Sequence, residues 1–177
     1  MFEREEIAQN YWNKNWDELK KWQKMEILSY FQLKNRGYNV ELMGKCNAGY
    51  DLKIVNEDYE NGEVRIDVKF SGGNTRRSLN GDFRERIELQ FNLGIKRKLE
   101  KGKGKTTDYF LLCFYEKKDG RNVMSGYLVP YEKFSKNVNI LTLTKTRIPN
   151  WFEEYKFNYK TMEKIGVKPI KKEKVKV

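Results

Sequence analysis

The sequence predicts an α/β fold, a small mixed β-sheet flanked by helices, and three observations predict it. Residues 1–36 contain neither glycine nor proline and carry apolar residues at helical spacing. From residue 38 to 70 the pattern changes to short apolar segments with period-two alternation, separated by polar turns. Further on, Asp108–Tyr115 is an almost wholly apolar run, as in a strand buried on both faces.

Taken in order, residues 1–36 read as helix, with a fresh start at Asn15 because Glu18 stands three residues on as an approximate capping box. Leu19, Trp22, Met25, Leu28, Phe31 and Leu33 follow at helical spacing, and Gly37 after Arg36 supplies the stop. Tyr38–Met43 is short and extended, Tyr50–Val55 is a second strand, and Asn56–Gly62 is a polar turn. In the third strand, Val64–Phe70, the apolar Val64, Ile66 and Val68 alternate with Arg65, Asp67 and Lys69. Ser71–Asp82 is a Gly/Asn/Arg loop, Arg86–Leu93 alternates like a strand, and Lys96–Lys103 has the charge of a helix or a loop. After the apolar run, Ser125–Pro130 reads as a strand, Tyr131–Lys136 as a short helical turn and Ile140–Leu143 as a brief strand. Trp12, Trp16 and Trp22 are expected to make core or dimer contacts rather than to serve as base-stacking platforms. A single domain is expected over residues 1–177, with residues 168–177 forming a basic, frayed tail.

Composition narrows the chemistry. There is no histidine, which excludes a Ser-His-Asp or Cys-His arrangement, a histidine-ligated zinc and a histidine general base. Any hydrolysis must therefore use carboxylates, lysines and a hard metal ion. The two cysteines, Cys46 and Cys113, match no metal or redox spacing, and Cys113 in its apolar run reads as a small buried thiol. Lys and Arg number 36 against 25 Asp and Glu, a net charge of +11 that suits a polyanionic partner. The segment from Lys160 on adds to this with seven lysines and two glutamates, a net of +5. No apolar run approaches a membrane span, and the acidic Met1–Glu6 segment is unlike a secretory signal, so a cytoplasmic protein is expected.

One constellation carries chemistry. Asp67 and Lys69 stand two apart on a strand, so their side chains leave the same face, opposite to Val64, Ile66 and Val68. Substitution of either is therefore expected to leave the fold intact. If the strands around Asp51 and Asp67 form a hairpin through Asn56–Gly62, the two carboxylates approach one another. A divalent cation relieves their repulsion, and an all-oxygen donor set selects Mg²⁺, with Mn²⁺ as a substitute, over Zn²⁺. A lysine beside such an ion suits phosphodiester hydrolysis, where it orients water and stabilises charge on the phosphate. Arg76, Arg77 and Arg84, just after this strand, are placed either to hold nucleic-acid phosphates or as a merely solvated loop.

With this context, the chain resembles the PD-(D/E)xK nuclease superfamily over roughly residues 19–131. The matching segments are Gly37-Tyr38-Asn39-Val40, Tyr50-Asp51-Leu52-Lys53-Ile54, Ile66-Asp67-Val68-Lys69 and the apolar segment Thr107–Leu112. Gly49-Tyr50 stands where many members have a proline before the first acid. The resemblance implies a restriction-endonuclease-like core, with Asp51 as the first motif acid and Asp67 and Lys69 as the second motif's acid and lysine. It also implies a metal-proximal glutamate on the first core helix, for which Glu26 is the candidate and Glu18 the fallback. Asp51, Asp67 and Glu26 would hold the Mg²⁺. The implied activity is endonucleolytic hydrolysis of DNA by a homodimer, of the restriction or the junction-resolving kind. A nucleic-acid-binding module that does not cleave, and a toxin-like nuclease acting on RNA, stand as the alternatives.

Overall fold

The computed structural model describes residues 3–44, 49–55, 62–70, 106–118, 121–141, 154–158 and 162. Helix α1 spans Glu3–Trp12, a single 3₁₀ turn Trp16–Glu18, and helix α2 Lys21–Asn35. Strands β1 (Val40–Leu42), β2 (Leu52–Val55), β3 (Glu63–Phe70), β4 (Tyr109–Lys118) and β5 (Arg121–Pro130) follow, then helix α3 (Tyr131–Leu141). The strands form one five-stranded sheet in the order β1-β2-β3-β4-β5. Neighbours are antiparallel except for β3 and β4, which are parallel, so the sheet is mixed and the fold α/β as expected.

The N-terminal helical stretch divides in two. Asn13 takes a left-handed φ of 53°, which ends α1. The box at Asn15 is made, its backbone N–H donating to the Glu18 carboxylate at 2.9 Å, but what it caps is the 3₁₀ turn. The long helix starts later, at Lys21, where the Gln23 side chain accepts the Lys20 N–H at 2.8 Å. Its end is the expected one. Gly37 (φ 89°) donates to the Lys34 carbonyl and Tyr38 to that of Leu33, the paired bonds of a Schellman motif.

The core lies between α1, α2 and one sheet face. Ala8, Trp12, Leu19, Met25, Ile27 and Leu33 pack with Leu52, Ile54, Val64, Ile66, Val68, Leu111 and Leu128. The helical apolar series is only partly buried: Leu28 and Phe31 are half-covered, and Trp22 is 48 % exposed. The opposite face of β4 carries Phe110, which stacks on Tyr131 and meets Phe134 edge-on from α3, at 6.0 and 5.4 Å between centroids. Burial of Phe110, Leu111, Leu112 and Cys113 in succession is what the apolar run predicts for an internal strand.

Two elements differ from expectation at the C-terminal side. The β4–β5 hairpin pairs as far as Lys118 and Arg121, because charged residues continue a ladder that the apolar pattern alone would end earlier. The residues read as a short turn and a separate strand from Ile140 belong, through Leu141, to one helix. Tyr131, Phe134, Val138 and Leu141 recur at spacings of three and four, a helical period that the local Ile-Leu pair obscures. Arg86–Leu93, Lys96–Lys103, Cys46 and the basic tail lie outside the described residues. No helix among the described residues is long and apolar enough to cross a membrane.

Candidate active site

The hairpin of β2 and β3 has the register Leu52↔Ile66, so Asp51, just before β2, stands at the end of the ladder beside Ile66–Val68. Asp51 precedes β2 and is fixed by backbone bonds on both sides. Its N–H donates to Ile66 O at 2.9 Å, and its carbonyl accepts from Met43 N–H at 2.8 Å. Its carboxylate Oδ2 accepts the Val68 N–H at 2.7 Å, so a side chain stands in for a ladder carbonyl. Gly49 sets up this turn. Its φ is 83°, and a Cβ there would meet the Thr106 side chain at 2.8 Å, so glycine fits where a side chain would be strained. That is a local reason for Gly49-Tyr50 at this point in the chain.

Asp67 and Lys69 share a face, as the alternation predicts, with Lys69 Nζ 2.6 Å from Asp67 Oδ1. That face is not solvent, however. Asp67 is only 2 % exposed, so this pair is more than a surface salt bridge, and substitution there bears on folding as well. Glu26, in the middle of α2, is 6 % exposed and feels the charges of Asp51, Asp67 and Lys69. The structure thus puts Glu26 within range of the charges of Asp51, Asp67 and Lys69, which bond directly among themselves. Glu18 lies apart, its carboxylate on the Asn15 N–H, and this leaves Glu26 as the helix carboxylate at the cluster. Arg76, Arg77 and Arg84 lie outside the described residues.

The electrostatics follow from crowding negative charge in a poorly hydrated place. The Glu26 carboxyl is pushed up to about 9, by burial first and then by repulsion from Asp51 and Asp67, while Lys69 pulls it down. Asp51 rises to about 7, again by burial first, then by the charge of Asp67 and a hydrogen bond between the two carboxyl groups. Lys69 and the Val68 N–H oppose that rise. Burial lowers the Lys69 pKa, but Asp67, Asp51 and Glu26 together outweigh it, so the ammonium ends above its ordinary value.

Three carboxyl groups thus share the field of one ammonium, and burial with mutual repulsion favours the protonated forms of Glu26 and Asp51. A hard divalent cation suits such a donor set, since it would replace those protons and is matched by oxygen ligands alone. As the side chains stand, Lys69 takes one oxygen of Asp67 and Val68 one of Asp51. Among the described residues no group of three or more His, Cys, Asp or Glu is arranged to hold a metal ion directly.

Two contributions were not legible in the sequence. The Val68 N–H that fixes Asp51 is a backbone group, with no side-chain signal. Trp22, counted with the core by its spacing, stands exposed one helical turn before Glu26; the lysines around it, Lys20, Lys21 and Lys24, are the signal that could have marked it. No family model matches this chain, and the comparisons with curated proteins and with solved structures found no match.

Proposed function

We propose that this chain is a metal-dependent nuclease hydrolysing phosphodiester bonds in DNA, with Glu26, Asp51, Asp67 and Lys69 as its active site. The observation that carries the reading is the bonded cluster of Asp51, Asp67 and Lys69 on β3 and the start of β2, with the buried Glu26 of α2 in range of their charges, within a protein of net charge +11. The resemblance to PD-(D/E)xK nucleases supports the same reading. So does the order of helix, antiparallel hairpin and parallel neighbouring strand, which suits a restriction-endonuclease-like core.

A magnesium-class cation, or manganese in its place, held by Asp51, Asp67 and Glu26, supplies Lewis acidity and acidifies water when bound. Lys69, kept charged by its carboxylate neighbours, holds the attacking water and stabilises charge developing on a phosphoryl oxygen. Asp51 and Glu26 must release their protons to serve as ligands, so activity rises with pH from about 7 toward about 9. The basic surface draws in the polyanion, and a homodimer would present two such sites to two strands.

A second reading, a nucleic-acid-binding module that does not cleave, draws support from the 2.6 Å ion pair that holds Lys69 on Asp67. Incubation with plasmid, branched junction DNA and structured RNA, in Mg²⁺ or EDTA, separates the readings. Cleavage of DNA in Mg²⁺ alone is expected. Binding without cleavage favours the silent module, and cleavage confined to RNA favours a ribonuclease.

A further inference from the structure

Trp22 is the one large hydrophobic side chain exposed among the described residues, at 48 %. It is not loosely held: its ring meets the buried Trp12 at 82°, with 6.5 Å between centroids. A contact of this kind orients an indole while leaving much of its surface in water. Four residues separate Trp22 from Glu26, so the two share a helix face, about 6 Å apart along the axis. The last turn of α2 leads into β1 at the end of the sheet where Val55 N–H meets Asn39 O. The first turn therefore lies toward the other end, where Asp51, Asp67 and Lys69 stand. Along the same face Glu26, Ser29 and Leu33 are buried, whereas Trp22 in the first turn is exposed. Lys20, Lys21 and Lys24 flank it in the chain, the Lys24 ammonium lying 5.5 Å from the Trp16 ring centroid, and no acidic residue stands between Lys20 and Met25.

We infer that Trp22 is a stacking platform for an unpaired nucleobase next to the scissile phosphate, which makes the substrate DNA with single-stranded or branched character. The inference rests on the nuclease reading above and deepens it. An oriented aromatic ring on a lysine-rich helical turn is the combination that recognises single strands, the ring taking a base and the cations the phosphates. A base inside an uninterrupted duplex already has both faces stacked and has none to offer.

The test is binding of a labelled oligothymidylate and a labelled hairpin duplex, in EDTA, by wild type, Trp22→Phe and Trp22→Ala, with a melting curve and sedimentation on each protein. Trp22→Ala should weaken oligothymidylate binding by roughly 5- to 150-fold, the range for one lost base stack. Trp22→Phe should lose much less, and duplex affinity should stay unchanged in both. Equal strand affinity in wild type and Trp22→Ala overturns the inference, as does an equal loss on strand and duplex. A dimeric wild type that becomes monomeric in Trp22→Ala assigns the ring to a contact between copies and overturns it as well. Cleavage by wild type in Mg²⁺, measured on the same oligonucleotides, reports on the nuclease reading separately. Wild type that binds both probes but cuts neither ends that reading alone, whereas wild type that binds neither ends both.

Discussion

Replacing Asp51 by asparagine should make the protein more stable at alkaline pH, because it removes one charge from a crowded cluster while keeping its shape. The asparagine carbonyl can still accept the Val68 N–H, which Asp51 accepts at 2.7 Å, and its amide can donate to Asp67. The magnitude comes from the rise of the Asp51 carboxyl from 3.8 to about 7. Three units at 1.36 kcal/mol each set a ceiling of about 4 kcal/mol. The sign follows from which state holds the proton. Below about pH 4 the carboxyl is protonated folded or unfolded, and the charge costs nothing. Between there and about 7 the unfolded chain gives up its proton before the folded one does, so stability falls as pH rises. Glu26 extends the fall to about 9. The neighbours share the cost, so Asp51→Asn should recover about 2 to 4 kcal/mol at pH 8, or roughly 4 to 16 °C in Tm for a chain of this size. Calorimetric melting of both proteins from pH 4 to 9 in EDTA, repeated with Mn²⁺, measures it. The curves should meet at low pH and diverge above it, and Mn²⁺ should raise the wild-type Tm at pH 8 far more than that of the variant. An Asp51→Asn protein less stable than wild type at pH 8 would refute the charge-crowding argument.

Three further expectations concern the same region. Lys69→Ala removes the 2.6 Å partner of a carboxylate that is 3 % exposed, and should cost on the order of 1–3 kcal/mol at pH 8 in a melting curve. It should also lower DNA cleavage by roughly 10²- to 10³-fold while Mn²⁺ still binds by calorimetry, and wild-type cleavage would remove Lys69 from the catalytic set. Gly49→Ala forces a side chain into a φ of 83° and against Thr106, at a cost of about 1–3 kcal/mol, and an unchanged Tm would show that the turn relaxes freely. Binding of DNA to a protein of charge +11 should weaken steeply with salt, and a flat slope of log K against log salt would make the basic surface a solubility feature only.

Much of this could be read in advance, for identifiable physical reasons. The alternation of Val64, Ile66 and Val68 with Asp67 and Lys69 has a period of two, and a strand has only two faces, so which residues share one follows directly. Gly37 marked the end of α2 because the left-handed position of a Schellman motif favours it. The helix boundary at Lys21 was missed because a capping box does not reveal how long a helix it starts. The lower hydrophobicity of Glu116–Lys118 and Arg121–Asn122 hid their place in the β4–β5 ladder, which backbone hydrogen bonds sustain without apolar side chains. For the candidate site, the pairing of Asp51 with Asp67 followed from the hairpin, but the depth of their burial did not. Burial depends on what covers a face, and that is decided by elements distant in the chain.

The bond between Val68 N–H and Asp51 Oδ2 has a consequence for denticity. One oxygen of Asp51 is committed to the sheet, and Lys69 engages one oxygen of Asp67. A two-armed grip on an ion by either aspartate would therefore compete with a strand bond or an ion pair, and with the hydrogen bond between the two carboxyl groups. Calcium favours flexible shells of six to eight oxygens that often include two-armed carboxylates, whereas magnesium accepts one-armed carboxylates and keeps several of its waters. On the nuclease reading, hydrogen bonding of this kind would disfavour the larger ion.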